Sequence, residues 1–213
     1  MCFSAGASFT ASAVLLTIGA ISIKKSTSAS QRLLSCIPLI FGVQQGAEGI
    51  LWLGLSHPEY LYLGRPAKYA FLLFAQVIWP VMVPLSVMHM EADAKRKNLL
   101  KVLLGSGILL AGYLLYCLIR YRTDASINCY HINYQLSYPD ITMKLGIFYF
   151  LPTIIPPFVS SIKRLRLLGI TIFLSYIVTQ IFYKEYLISV WCFFAAVISL
   201  IVLSIIFNIN RKK

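Results

Sequence analysis

Glu48 is an ionisable residue inside an apolar run of membrane-spanning length, LLSCIPLIFGVQQGAEGILWLGL, from Leu33 to Leu55. An ionisable group at that depth is costly unless it is paired or used. On one helix Gln44, Gln45 and Trp52 fall three or four residues from Glu48 along the same side. Such a polar stripe would be costly against lipid and is expected to turn into the interior of a helix bundle. There the carboxyl could act as a general acid/base or a ligand, with the amides orienting a bound molecule. The competing reading is a structural hydrogen-bond network that ties helices together.

Further groups could join this stripe. His131 is a candidate acid/base, proton shuttle or metal ligand, and Cys2 and Cys192 are candidate thiolate ligands. Together with Glu48 they could hold a transition metal such as zinc. Gln44, Gln45, Trp52, Gln76, Trp79, Trp191 and Ser4 are the candidate ligand-binding side chains. Plainer readings stand beside these: His131 as a surface loop histidine, and Cys192, Cys36 and Cys117 as small buried packing residues. The five cysteines show no repeated metal-ligand spacing. Catalytic signatures such as H-E-x-x-H, G-x-S-x-G and the Walker loop are absent, and the last apolar run has no lysine for a Schiff base.

The elements that must position these groups are transmembrane helices. Of 213 residues, 59% are hydrophobic and only 12% charged, half the charged share of an average soluble domain. Seven apolar stretches approach or reach spanning length: residues 9–23, 33–55, 69–88, 99–119, 145–162, 167–183 and 187–207, the first and sixth being the shortest. Pro80 and Pro84 in the third, and Pro152, Pro156 and Pro157 in the fifth, each free a backbone carbonyl that the bundle or a ligand must satisfy.

The net charge of +12 is distributed by connection rather than in one patch. Thirteen of the nineteen Lys and Arg residues follow the first, third, fifth and seventh runs; Arg65, Lys68, Arg120, Arg122, Lys144 and Lys184 occupy the others. By the positive-inside rule the N-terminus is outside and the C-terminus cytoplasmic, and this alternation needs an odd number of spans. The clusters therefore read as topology determinants beside anionic lipid, not as a nucleic-acid surface. The orientation puts Cys2 and Cys129 outside, where a disulfide between them would be permitted. Glu48 lies about 22 Å along its helix at 1.5 Å per residue, in the outer half of the bilayer. Ser189, Trp191 and Cys192 come to a similar level from the last helix.

The one long connection, residues 120–144, is expected to be an ordered outer lid. Within it YHINYQLSY alternates, with Tyr130, Ile132, Tyr134, Leu136 and Tyr138 on one face and His131, Asn133, Gln135 and Ser137 on the other. That pattern predicts a strand or short β-hairpin whose apolar face packs on the helix ends. An interfacial aromatic belt with no site beneath it is the alternative.

The chain resembles a bacterial family of seven-helix membrane proteins of unknown function whose members begin Met-Cys-Phe-Ser. The resemblance rests on M-C-F-S-A-G-A-S-F at 1–9, F-G-V-Q-Q-G-A-E-G-I-L-W-L at 41–53, W-P-V-M-V-P at 79–84, H-I-N-Y at 131–134, P-P-F-V-S-S at 156–161 and V-W-C-F-F-A-A at 190–196. It implies the fold and a bacterial inner-membrane location, and it supplies no reaction. The sequence thus predicts a single all-α, seven-helix transmembrane domain over 1–213, with an outward-facing polar pocket around Glu48. Two functions follow as expectations: a membrane-embedded, metal-assisted enzyme acting on a lipid or small amphiphile, or a non-enzymatic protein that binds or senses one. A cysteine redox carrier using Cys2, Cys129 and Cys192 ranks behind both.

Overall fold

The computed structural model describes residues 4–128, 130–139 and 146–210; the side chains of Ile147, Lys184, Cys192 and Phe193 lie outside that description. The helices are α1 (Ala5–Lys25), α2 (Ala29–Ser56), α3 (Leu61–Leu73), α4 (Trp79–Met90), α5 (Ala94–Arg120), α6 (Phe150–Val159), α7 (Lys163–Phe182), α8 (Leu187–Phe193) and α9 (Ala195–Asn210). A two-stranded hairpin, β1 (Thr123–Asn128) and β2 (His131–Leu136), follows α5. A π-helical turn, Phe74–Ile78, joins α3 to α4, and α8 continues into α9 through Phe194. Six helical runs are then long and apolar enough to cross a membrane: Ala5–Lys25, Ala29–Ser56, Pro58–Met90, Ala94–Arg120, Lys163–Phe182 and Leu187–Asn210. This is the architecture of a multi-pass membrane protein. On α5 only 28% of the apolar window is buried, and Leu109 and Ile119 are 77% and 79% exposed, as side chains turned to lipid would be.

A seventh helix, α6, lies within the expected fifth span, residues 145–162. It has ten residues and is preceded by a 3-10 turn at Gly146–Tyr149. Pro156 and Pro157 remove two amide donors, and the chain leaves the helix at Ser160 with extended backbone. The first and sixth runs, by contrast, extend to 21 and 20 residues. The N-cap of α1 is Ser4, whose Oγ accepts from Ala7 N at 3.2 Å.

α1 and α2 pack through small residues. Ser8, Ser12, Leu15, Gly19 and Ser22 form the buried row of α1. A Cβ on Gly19 would lie 2.6 Å from Leu39 N, and Ser12 Oγ donates to Gly42 O at 2.7 Å. Close backbone approach of this kind gives helices dispersion contact that lipid cannot match. In the α3–α4 run, the missing amide of Pro80 is preceded by the π turn, and the carbonyl of Ala75 accepts from Tyr149 Oη at 2.5 Å. The expectation that the bundle satisfies carbonyls freed near proline is met at Ala75.

The two ends of the bundle differ. At the basic end Leu34, Val87, Leu100, Leu165 and Ile205 share one core cluster. There Asn210 closes the last helix onto the α1–α2 turn, donating to Lys25 O at 2.6 Å and accepting from Thr27 Oγ1 at 2.8 Å. At the other end the hairpin lies over the helices. β2 confirms the strand read from YHINYQLSY, and its partner β1 pairs antiparallel from Thr123 opposite Leu136 to Asn128 opposite His131. The turn carries Tyr130 at φ 64°, an uncommon conformation for a bulky side chain. Ile132 is fully buried and Tyr134 stacks on Phe71 with centroids 5.1 Å apart. The two sit in a second cluster with Leu51, Trp52 and Leu72.

Candidate functional site

The polar stripe of α2 does turn inward. Gln44 and Glu48 are fully buried and Gln45 nearly so. Gln44 Oε1 accepts from Trp79 Nε1 at 2.8 Å, and Trp79 stacks on Phe41 at 4.0 Å, which fixes the indole that makes this bond. Gln45 Nε2 donates to Glu48 Oε2 at 3.3 Å. The other carboxyl oxygen, Oε1, accepts from Ser189 Oγ at 2.7 Å, 141 residues away in α8. One face of α2 is thereby tied to α4 through an amide and to α8 through the carboxyl. In an apolar interior each such bond holds two helices in register, because separating them exposes polar groups with no water to replace the partner.

The other sequence-predicted residues fall around this layer. Trp191 Nε1 donates to Ser175 Oγ of α7 at 2.9 Å, and Tyr149 and Tyr176 meet the indole edge-on. Gln76, on the π turn, accepts from Tyr138 Oη at 2.9 Å and so links the segment after β2 to the α3–α4 run. Burial pushes the Tyr138 hydroxyl up to about 12, so the phenol is a donor throughout the physiological range. Trp52 is buried in the hairpin-side cluster, with no partner for Nε1 among the described residues. Ser4 has its hydroxyl engaged in capping α1.

His131 is not a surface histidine. It is 8% exposed, its ring stacked on Tyr186 at 4.8 Å and tilted against Tyr183 at 5.4 Å. The α7–α8 connection and the first turn of α8 thus carry both contacts: Tyr183 and Tyr186 hold His131, and Ser189, three residues on, holds Glu48. Cys2 and Cys129 lie outside the described residues, as does the Cys192 side chain, so two of the four candidate metal ligands fall there. Among the described residues no group of three or more His, Cys, Asp or Glu side chains could hold a metal ion. Cys117 is fully buried and Cys36 half-buried, both unbridged, in agreement with the packing reading.

Sequence reasoning passed over a second buried acid. Glu91, directly after α4, is 3% exposed. Its Oε1 accepts from Ala92 N and Asp93 N at 3.0 Å and from Ser161 Oγ at 2.7 Å; its Oε2 accepts from Ser161 N at 2.6 Å and Ser160 Oγ at 3.0 Å. Burial alone pushes this carboxyl up, but the hydrogen bonds from Asp93, Ser161 and Ser160 outweigh it and hold the group at about 2. The carboxylate staples the α4–α5 turn to the α6–α7 turn. The available signal was the pair Ser160–Ser161 at the close of P-P-F-V-S-S, on the same side of the bundle as an acid at a helix end.

The chain belongs to a family of unknown function (DUF6629), which it matches over residues 1–213. No curated protein and no solved structure matches it.

Proposed function

We propose that this chain is a multi-pass protein of the bacterial inner membrane that binds a small amphiphile or lipid without transforming it. In this reading the N-terminus is outside, the C-terminus cytoplasmic, and the hairpin is an outer lid over the Glu48 layer, as the charge distribution supports. The observation that carries the binding reading is the segment from Tyr183 to Ser189. It touches the hairpin through His131 at one end and Glu48 through Ser189 at the other. A molecule seated beneath the hairpin would compete for these contacts and shift α8 relative to α2, which is how binding becomes a signal. Gln44, Gln45, Gln76, Trp52, Trp79, Trp191 and Ser4 remain the proposed ligand-facing side chains.

Burial favours binding over turnover. Glu48 has no exposed surface and both its oxygens accept from side chains, whereas an acid/base group must reach substrate protons in each cycle. The test is extraction of the detergent-purified protein, parent and Glu48→Leu, followed by lipid mass spectrometry. An unmodified amphiphile retained by the parent and lost from the variant is the expected result. Glu48-dependent appearance of a converted lipid would replace this reading with the enzyme. The metal-assisted form of that enzyme requires Cys2 and Cys192 to join Glu48 and His131; stoichiometric zinc in the parent, lost in His131→Ala, would establish it.

A further inference from the structure

We infer that the hairpin end carries a second site, separate from the Glu48 layer: a seat for an anionic phospholipid, its phosphate in a basic cleft between α3 and β1 and an acyl chain along the α3–α5 groove.

The cleft encloses about 430 Å³ and is lined in part by Arg65 and Lys68 of α3 and by Arg122, Thr123 and Asp124 at the start of the hairpin. Its floor is a backbone contact: a Cβ on Gly54 would lie 2.6 Å from Gly64 Cα, so α2 and α3 touch there. Three cations face one carboxylate, and that carboxylate is engaged, since Arg122 Nε binds Asp124 Oδ2 at 2.8 Å. Lys68 Nζ donates to the Thr123 carbonyl, which anchors the ammonium at the cleft without neutralising it. The Arg65 guanidinium makes no hydrogen bond or ion pair among the described residues. Thr123 is 2% exposed, and its Oγ1 has no partner among them either. A buried hydroxyl left over beside uncompensated positive charge matches the needs of a phosphate oxygen.

The position of these cations adds a second argument. Only six of the nineteen Lys and Arg residues lie away from the basic clusters, and three of the six meet at this cleft. Topology does not call for them on that side.

A neighbouring groove of about 410 Å³ shares Arg65 and Tyr69 with the cleft and is otherwise apolar, walled by Ala70, Leu73, Leu118 and Ile119. Leu73 and Ile119 stand on the outward faces of helices long enough to cross a membrane. A charged head site that opens onto a lipid-facing apolar track has the form of a membrane lipid, not of a soluble anion.

The test uses the full chain in nanodiscs of phosphatidylcholine with a minor fraction of phosphatidylglycerol, with bound lipid counted by native mass spectrometry. The parent should enrich phosphatidylglycerol. Arg65→Gln should reduce the enrichment about fivefold, the scale of one cation near a membrane surface, and Arg65→Lys should restore most of it. Leu73→Trp, which fills the track, should also release the lipid. Arg166→Gln at the basic end should leave enrichment unchanged. Equal thermal stability of the variants in phosphatidylcholine alone excludes misfolding as the cause. Unchanged enrichment in either Arg65→Gln or Leu73→Trp overturns the proposal. So does displacement of phosphatidylglycerol by inorganic phosphate in a manner insensitive to Leu73→Trp, which would make the cleft a soluble-anion site.

Discussion

Glu48 and Glu91 are both buried, yet they are held by different kinds of donor. Three of the five hydrogen bonds to Glu91 come from backbone amides, those of Ala92, Asp93 and Ser161. At Glu48 a side-chain amide and a side-chain hydroxyl donate, from Gln45 and Ser189. Backbone donors cannot turn away when an acceptor is lost; they are left orphaned at full desolvation cost. An amide can flip and a hydroxyl can rotate to a new partner. Glu91 therefore staples two turns, whereas the Gln45 amide and the Ser189 hydroxyl at Glu48 can reorient without moving the backbone, as the proposed binding layer requires.

The largest effect expected from this contrast is that of Glu91→Gln. The substitution keeps shape but replaces one acceptor oxygen with a donor that faces donors. A carboxyl held at about 2 against an ordinary 4.5 corresponds to roughly 3 kcal/mol of stabilisation at neutral pH. Thermal unfolding in detergent should register a loss of that order; a variant as stable as the parent would mean that Glu91 is no staple.

The same stabilisation has a pH signature. Because the folded-state pKa lies below the unfolded value, the contribution is complete above about 4.5 and is lost as pH falls towards about 2. Acid unfolding of the parent should be steep across that window, and in Glu91→Gln this component should be missing. Identical acid profiles for the two proteins would assign the acid sensitivity elsewhere.

At Glu48 the effects should be smaller and depend on the replacement. Glu48→Leu removes the acceptor for Ser189 and Gln45, at about 1 to 2 kcal/mol. Glu48→Gln should cost less than about 1 kcal/mol, since its Oε1 still accepts from Ser189 and the Gln45 amide can flip to offer its oxygen. The ratio of the two glutamine variants sharpens the comparison: a cost at Glu48 equal to that at Glu91 would make both groups structural staples and remove the argument for an exchangeable layer.

The asymmetry also explains what the sequence could reveal. Glu48 was legible because a carboxyl inside an apolar helix is costly and helical spacing places Gln44 and Gln45 beside it. Ser189 as its specific partner was not, since a serine in an apolar helix carries no sign of what it touches across 141 residues of chain. Glu91 was hidden for the opposite reason: an acid at a helix end beside charged residues reads as solvated, and only the fold brings Ser160 and Ser161 onto it. The hairpin was half legible. Residues 130–138 alternate apolar and polar, whereas Thr123–Asn128 is polar and irregular and becomes a strand only by pairing with its neighbour. The end of α6 was not legible because hydropathy counts Pro156 and Pro157 as compatible with a span, while their missing amides help to end the helix.

The smallest expected effect is also the most discriminating. Ser189→Ala deletes one hydroxyl from the Glu48 layer, and interhelical hydrogen bonds in membranes average about 0.6 kcal/mol, rarely above about 1.7. Combined with Glu48→Leu in a double-mutant cycle, it measures the coupling between α2 and α8 directly, because the two residues are in contact and their effects should not add. A coupling near the average, together with faster amide exchange in the hairpin, would show that the layer is weak enough to open and is linked through Tyr186 to the strand above it. A coupling near the top of the range with no change in hairpin exchange would mean that the contact simply locks two helices. The distinction between Glu48 and Glu91 would then be one of donor chemistry without a difference in role.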